Sequence, residues 1–151
     1  MDWKKILKTA FFILFFAVYW ESISREFWDY SATIQEITVF RTFPIIMIAF
    51  WMAVFSVSLC ISEYLFKKIF HAGTIPVFDK KLYILEIFTF GIVGMAFEAL
   101  LGVLGLLEYN QVLRWTIVPL INIPINSVAG YFGIGMFVPS TLRVFRGDGR
   151  I

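Results

Sequence analysis

The chain has 151 residues, of which 60% are hydrophobic and 16% are charged, and its formal net charge is +2. An average soluble domain is about 45–50% apolar and about 25% charged, so this chain carries more apolar surface than a soluble domain of its size can bury. The composition excludes an ordinary soluble enzyme, and the lack of a basic stripe argues against a nucleic-acid partner. One cysteine and one histidine exclude an internal disulfide and a His/Cys metal cage, and we predict no metal and no cofactor.

Four segments are long and apolar enough to cross a membrane, which requires about 20 mostly apolar residues. The first covers residues 3–23 and begins with lysines. Because no small-residue cleavage site follows it, we interpret it as a retained helix and not as a signal peptide. The other three cover residues 43–66, 82–107 and 116–139. The sequence therefore predicts an all-α integral membrane protein with a single four-helix domain over residues 1–151.

Basic residues are distributed unevenly between the segments that connect these helices. Most of the 13 lysines and arginines lie in the N-terminal segment, in the loop between the second and third helices, and in the C-terminal segment. The other two loops contain only Arg25, Arg41 and Arg114. Because basic residues favour the cytoplasmic side, both termini are predicted to be cytoplasmic, in a multi-pass protein of the cell membrane.

The two halves of the chain share a pattern of special residues. In each half an acidic residue late in one helix precedes an acidic–tyrosine pair, a proline that opens the next helix, and an aromatic residue at the same spacing from that proline: Glu21, Asp29-Tyr30, Pro44 and Trp51, then Glu98, Glu108-Tyr109, Pro124 and Tyr131. Apolar helices also align by chance, so a duplication and a coincidence both stay open. A duplication predicts two helical hairpins of the same orientation, which is a parallel repeat.

Glu98 is the most informative candidate because it is predicted to lie inside the third apolar helix. A charged carboxyl at such a depth costs roughly 2.5–3.5 kcal/mol on insertion scales, so it is expected to face the bundle interior. Gly91, Gly94, Gly102 and Gly105 share its helix face, which would let another helix approach closely, within the chain or in a homodimer. Glu98 is then either a proton donor, acceptor or ligand-binding acid, or a protonated carboxyl that joins two helices.

Glu21 is the second candidate catalytic acid. Arg25 lies one helical turn after it, which favours an interfacial ion pair. If the bundle instead brings Glu21 beside Glu98, two acids in one site would form an acid–base pair, with Arg25 keeping one of them ionised.

Two asparagines lie in the fourth apolar segment, whose outer end contains two prolines that disrupt helical hydrogen bonding. Asn122, Asn126 and Ser127 either satisfy the freed backbone groups or line a polar, ligand-binding pocket that faces Glu98. At the inner boundary, Glu63 and Glu86 are expected to pair with Lys67 or Lys81.

One pattern in the second half combines an acid, a glycine, a tyrosine and two prolines, in the order Phe97-Glu98-x3-Gly102-x6-Tyr109, Ile123-Pro124, Pro139. This pattern, over about residues 91–139, resembles one in the carotenoid hydratase-like membrane proteins of archaea and bacteria. Those proteins are longer, and they add water across an isoprenoid double bond. The resemblance implies that Glu98 carries the reaction, with Tyr109 beside it.

Three functions remain as hypotheses. The first is a small membrane protein that binds a hydrophobic ligand or a partner helix at the face of Glu98 and Asn126, without defined catalysis. The second is an isoprenoid-modifying enzyme of hydratase type, and the third is a proton-coupled transporter. The predicted partners are a membrane lipid or an isoprenoid, together with a second copy of the chain or a larger membrane complex.

Overall fold

The structure, a computed structural model, describes residues 3–24, 28–30, 38–39, 43–109, 117–120 and 122–146. These residues form four long helices, α1 (Trp3–Ser24), α2 (Ile45–Phe70), α3 (Lys80–Val103) and α4 (Ile125–Arg146). Each helix is long and apolar enough to cross a membrane, which confirms the helical architecture expected from the apolar runs. The described residues also contain six short strands that we did not predict: β1 (Trp28–Tyr30), β2 (Thr38–Val39), β3 (Phe43–Pro44), β4 (Leu107–Tyr109), β5 (Ile117–Val118) and β6 (Ile123–Pro124).

Helix α3 is capped at both ends by its own sequence. At its start, Asp79 Oδ1 accepts hydrogen bonds from the backbone N–H groups of Lys81 (2.7 Å) and Leu82 (3.1 Å), which otherwise lack helical partners. At its end, Gly105 has a left-handed φ of 67°, and the Leu106 N–H donates to the Leu101 carbonyl at 3.0 Å. This glycine-based C-terminal motif ends the helix at Val103, four residues before the predicted end.

The fourth helix differs most from its predicted range of 116–139, because α4 begins at Ile125 and continues to Arg146. The residues before it form a β5–β6 hairpin in which Val118 pairs with Ile123. The turn of this hairpin contains Asn122, whose φ is 53° and whose N–H donates to the Val118 carbonyl at 2.8 Å. Prolines lack the N–H that a helix needs, so Pro119 and Pro124 delay the helix until Ile125.

The four helices pack in the order of the chain, with α3 between α2 and α4, and α1 against α2 and α4. The glycine face of α3 is used within the chain, because a Cβ at Gly91 would meet the ring of Phe132 at 2.6 Å and a Cβ at Gly94 would overlap Tyr131. On α4, Gly135 lies against the backbone of α3, where a Cβ would meet Ile87 Cα at 2.7 Å. These small residues let α3 and α4 approach closely, so the part of the glycine face at Gly91 and Gly94 is used within the chain, whereas a Cβ at Gly102 or Gly105 would meet open space. The homodimer stays a prediction.

The short strands connect the two helical hairpins. Strands β1 and β4 pair antiparallel, with Asp29 opposite Glu108, and thus join the segment after α1 to the segment after α3. Strand β2 pairs with β3 directly before α2, as β5 pairs with β6 directly before α4. The order of helix, strand, two-stranded hairpin and helix is therefore the same in both halves.

Candidate functional site

Glu98 lies near the end of α3 and is 1% exposed. The chain turns back at Gly105 into β4, and this turn brings Tyr109 over the carboxyl group, where its hydroxyl donates to Glu98 Oε1 at 2.6 Å. Burial raises the pKa of Tyr109, and the neighbouring carboxylate adds to this effect because both disfavour a phenolate. Tyr109 therefore keeps its proton and acts as a hydrogen-bond donor to Glu98.

The second oxygen of Glu98 is in a different situation. Oε2 is buried, and no group of the described residues meets it at hydrogen-bond distance and angle. The hydroxyls of Tyr131 and Ser127, both on α4, also lie close to this carboxyl group. Because a buried carboxyl oxygen without a full hydrogen bond is costly, this oxygen is suited to receive a group from a ligand or a water molecule.

A cavity of about 420 Å³ adjoins this carboxyl group. Its size lies in the range of small-molecule sites, which is about 300–1,000 Å³. The lining combines apolar side chains with four polar ones, and none of its described residues is a lysine or arginine: Glu98, Ala99, Gly102, Val103, Leu107, Glu108, Tyr109, Ile117 and Asn122. The arrangement can hold an amphipathic molecule whose polar group points to Glu98.

Glu21, the second predicted acid, is fully buried on α1. It accepts a hydrogen bond from the indole nitrogen of Trp51 at 3.0 Å. The ring of Trp51 in turn lies 5.8 Å from the ring of Tyr131, measured between centroids. The structure thus connects Glu21 to Glu98 through two aromatic side chains. Sequence reasoning paired Trp51 with Tyr131 in the repeat but missed that these residues contact the two acids.

Of the remaining predicted site residues, one lines the cavity, one lies outside it, and one is not among the described residues. Asn122 lines the cavity together with Glu98, from the turn of the β5–β6 hairpin. Asn126 lies exposed on the first turn of α4 and is not among the residues that line this cavity. Arg25 lies outside the described residues, so its ion pair with Glu21 stays a prediction.

A buried ion pair lies at the opposite end of α3. Glu86 is fully buried and Arg143 is 1% exposed, and two guanidinium nitrogens of Arg143 donate to the two carboxylate oxygens of Glu86. Arg143 Nε also donates to the Val77 carbonyl at 2.9 Å, which ties α4 to the α2–α3 loop. The expected pairing of Glu86 with a lysine was therefore wrong, because only the planar guanidinium fork matches both carboxylate oxygens.

The second expected lysine pair was also wrong. Glu63 lies 3.5 Å from Arg146, and both side chains are partly exposed. Within the residues that the structure describes, no three His, Cys, Asp or Glu side chains converge as a metal site would require. Comparison with protein-family models, with curated proteins and with solved structures finds no match for this chain.

Proposed function

We propose that this chain is a multi-pass protein of the cell membrane that binds a hydrophobic ligand in the cavity beside Glu98. Four helices of membrane-spanning length and apolarity support the membrane assignment. The basic residues before α1, between α2 and α3, and at the end of α4 favour cytoplasmic termini. This orientation puts the Glu98 cavity at the outer end of the bundle and the Glu86–Arg143 pair at the inner end.

The observation that carries the proposal is a buried carboxyl group in the wall of a mostly apolar cavity, with one oxygen that no group of the described residues meets at hydrogen-bond geometry. Val103, which lines this cavity, is 85% exposed, and Leu120, in the turn of the β5–β6 hairpin, is 93% exposed. In a membrane such side chains face acyl chains, so a hydrophobic molecule could reach the cavity from the lipid phase without crossing water.

We further propose that the chain arose by duplication of a helical hairpin, with both copies in the same orientation. The matching order of elements in the two halves supports this proposal, as does the register of β1 and β4. In that register Asp29 is opposite Glu108, and these are the residues that the repeat makes equivalent. A two-fold axis between them would exchange the two halves.

Glycine substitutions in α3 and α4 provide the test of ligand binding. A Cβ at Gly102 meets no atom within 4 Å, and this residue lines the cavity, so we expect Gly102→Leu to narrow the cavity. Gly133→Leu is the matched control, because a Cβ there also meets open space but lies away from the cavity. Replacing glycine inside a helix improves helix propensity by up to about 1 kcal/mol, so both variants are expected to fold.

Mass spectrometry of lipids and isoprenoids that co-purify in detergent gives the readout. We expect a specific hydrophobic molecule in the wild type and in Gly133→Leu, and its loss in Gly102→Leu. Equal retention of that molecule by both variants would refute the cavity as the binding site. Bulk phospholipid alone in all three proteins would refute the ligand-binding function and would leave a partner helix as the function to test.

A second candidate function is hydration of an isoprenoid double bond. It is favoured by one observation, the 2.6 Å hydrogen bond between Tyr109 and Glu98, which are the two residues that the resemblance to carotenoid hydratase-like proteins pairs. In this reaction an acid would protonate one alkene carbon, water would add its hydroxyl group to the other, and the remaining proton of that water would return to the carboxylate. The isoprenoid profile of cells that express the wild type or Glu98→Gln tests it, since an unchanged profile contradicts hydration.

A further inference from the structure

We infer that the ligand of the Glu98 cavity is a lipid whose head group donates a hydrogen bond and carries no negative charge. This inference rests on the proposed function and specifies the class of molecule that the site selects. It follows from the hydrogen bonds, the charges and the apolar lining of the cavity.

The hydrogen bonds at Glu98 leave an acceptor for the ligand. A phenol has a single proton to donate, and Tyr109 uses its proton on Glu98 Oε1. Glu98 Oε2 meets no donor at hydrogen-bond geometry within the described chain. A ligand group that donates a hydrogen bond to this oxygen therefore completes the coordination of a buried carboxylate, whereas a purely apolar group would leave it incomplete.

The charges of the cavity disfavour anionic head groups. Two carboxyl groups, Glu98 and Glu108, line it, and its described lining contains no lysine or arginine. A phosphate or a fatty-acid carboxylate placed beside Glu98 would find no cation in the described lining to pair with, and an ionised Glu98 would repel it. An alcohol or an amine meets no such repulsion, and both donate hydrogen bonds.

The rest of the lining accommodates an aliphatic chain. Ala99, Val103, Leu107 and Ile117 provide an apolar wall, and Gly102 leaves open space beside it. The polar groups of the cavity are few, as in sites where polar contacts orient a mostly hydrophobic ligand. The site therefore fits a long-chain amphiphile with its head at Glu98 and its chain along these residues.

The experiment uses four probes that share one hydrocarbon chain and differ in the head group: hexadecanol, hexadecylamine, hexadecanoate and hexadecane. Each is titrated against the detergent-purified full chain, and the bound fraction is measured by native mass spectrometry. We expect hexadecanol or hexadecylamine to bind at least about tenfold more tightly than the other two, which corresponds to about 1.4 kcal/mol. If hexadecanol binds more tightly than hexadecylamine, the preferred head group is neutral, and the opposite order indicates a cationic head group.

Two variants assign the selectivity to the carboxyl group. Glu98→Gln removes the charge but keeps an acceptor, so the discrimination against hexadecanoate is expected to fall at least threefold while hexadecanol still binds. Glu63→Gln makes the same change at a partly exposed carboxyl near Arg146 and is expected to leave the discrimination unchanged. Equal discrimination in the wild type and Glu98→Gln would overturn the role of this carboxyl group.

The outcomes separate the inference from the proposed function. If hexadecanoate or hexadecane binds as tightly as hexadecanol and hexadecylamine, and Gly102→Leu abolishes binding, the head-group inference fails while the cavity remains a ligand site. If no probe binds saturably, or if Gly102→Leu leaves binding intact, the cavity does not take such ligands and both fail.

Discussion

Removing Arg143 should strongly destabilise the protein, because this arginine is buried in an ion pair with Glu86. Arg143→Met leaves the fully buried carboxylate of Glu86 without its partner and takes the donor from the Val77 carbonyl. Breaking a buried ion pair in this way costs about 3–5 kcal/mol, because the remaining charge cannot regain its solvation. The lost hydrogen bond between Arg143 and the Val77 carbonyl is part of this cost of about 3–5 kcal/mol.

The double variant Arg143→Met/Glu86→Leu tests whether the unpaired Glu86 carboxylate causes the destabilisation. Replacing both partners of a buried ion pair by apolar side chains is often neutral, so the double variant is expected to recover most of the stability lost in Arg143→Met. Arg146→Met is the matched control, since its pair with Glu63 has a distance of 3.5 Å and side chains 21% and 26% exposed. Such a pair contributes less than about 1 kcal/mol.

Unfolding by heat or by a denaturing detergent, followed for the four proteins in the same micelles, gives the comparison. The expected order of stability is wild type, then Arg146→Met, then the double variant, and finally Arg143→Met. The reasoning is refuted if Arg143→Met unfolds together with Arg146→Met, or if the double variant is no more stable than Arg143→Met.

The same unfolding assay tests three further expectations, and a flux assay tests a fourth. Gly135→Ala should cost about 1–3 kcal/mol, because its Cβ would meet the rigid backbone of α3, whereas Gly133→Ala should be neutral or slightly stabilising. Tyr109→Phe should cost about 1–3 kcal/mol by leaving Glu98 Oε1 without its donor, unless a bound ligand replaces it. Asp79→Ala should cost about 1 kcal/mol through loss of the α3 cap, and Asp79→Asn should retain most of that stability. In proteoliposomes with an imposed pH gradient we expect no proton flux; a flux that Glu98→Gln abolishes would establish the transporter hypothesis instead.

The four helices could be predicted because mean hydropathy is high throughout their length and each contains a continuous apolar run. The start of α4 could not be placed by hydropathy, since the β5–β6 hairpin before it is as apolar as a helix. The available signal was the pair Pro119 and Pro124, which indicated irregular backbone but did not tell a bent helix from a hairpin. The left-handed Asn122 decides this, and its conformation depends on the folded turn.

The candidate site was predictable only in part, because its contacts between helices form only in the folded bundle. Glu98 stands out in the sequence because an acidic residue inside an apolar helix is costly. Its partner on α4 depends on how closely two helices approach, and the contact of the Tyr131 ring with Gly94, where a Cβ would overlap that ring, exists only after packing. Arg143 lies in the C-terminal segment, among the basic residues that predict a cytoplasmic C-terminus. Nothing in the distribution of basic residues tells an arginine in water from one buried against Glu86.

The two halves differ in the chemistry of the groups around their buried acids, and this difference explains why the second half carries the proposed site. Glu21 is held by the indole N–H of Trp51, a group that only donates and does not titrate. Glu98 is surrounded by hydroxyl groups, from Tyr109 and Tyr131, that both donate and accept. Under the proposed duplication, the two acids have equivalent positions but different neighbours. The hydrogen bond from Trp51 makes Glu21 part of the core. In the proposed site, the hydroxyls would let the second carboxyl group exchange hydrogen bonds with a ligand.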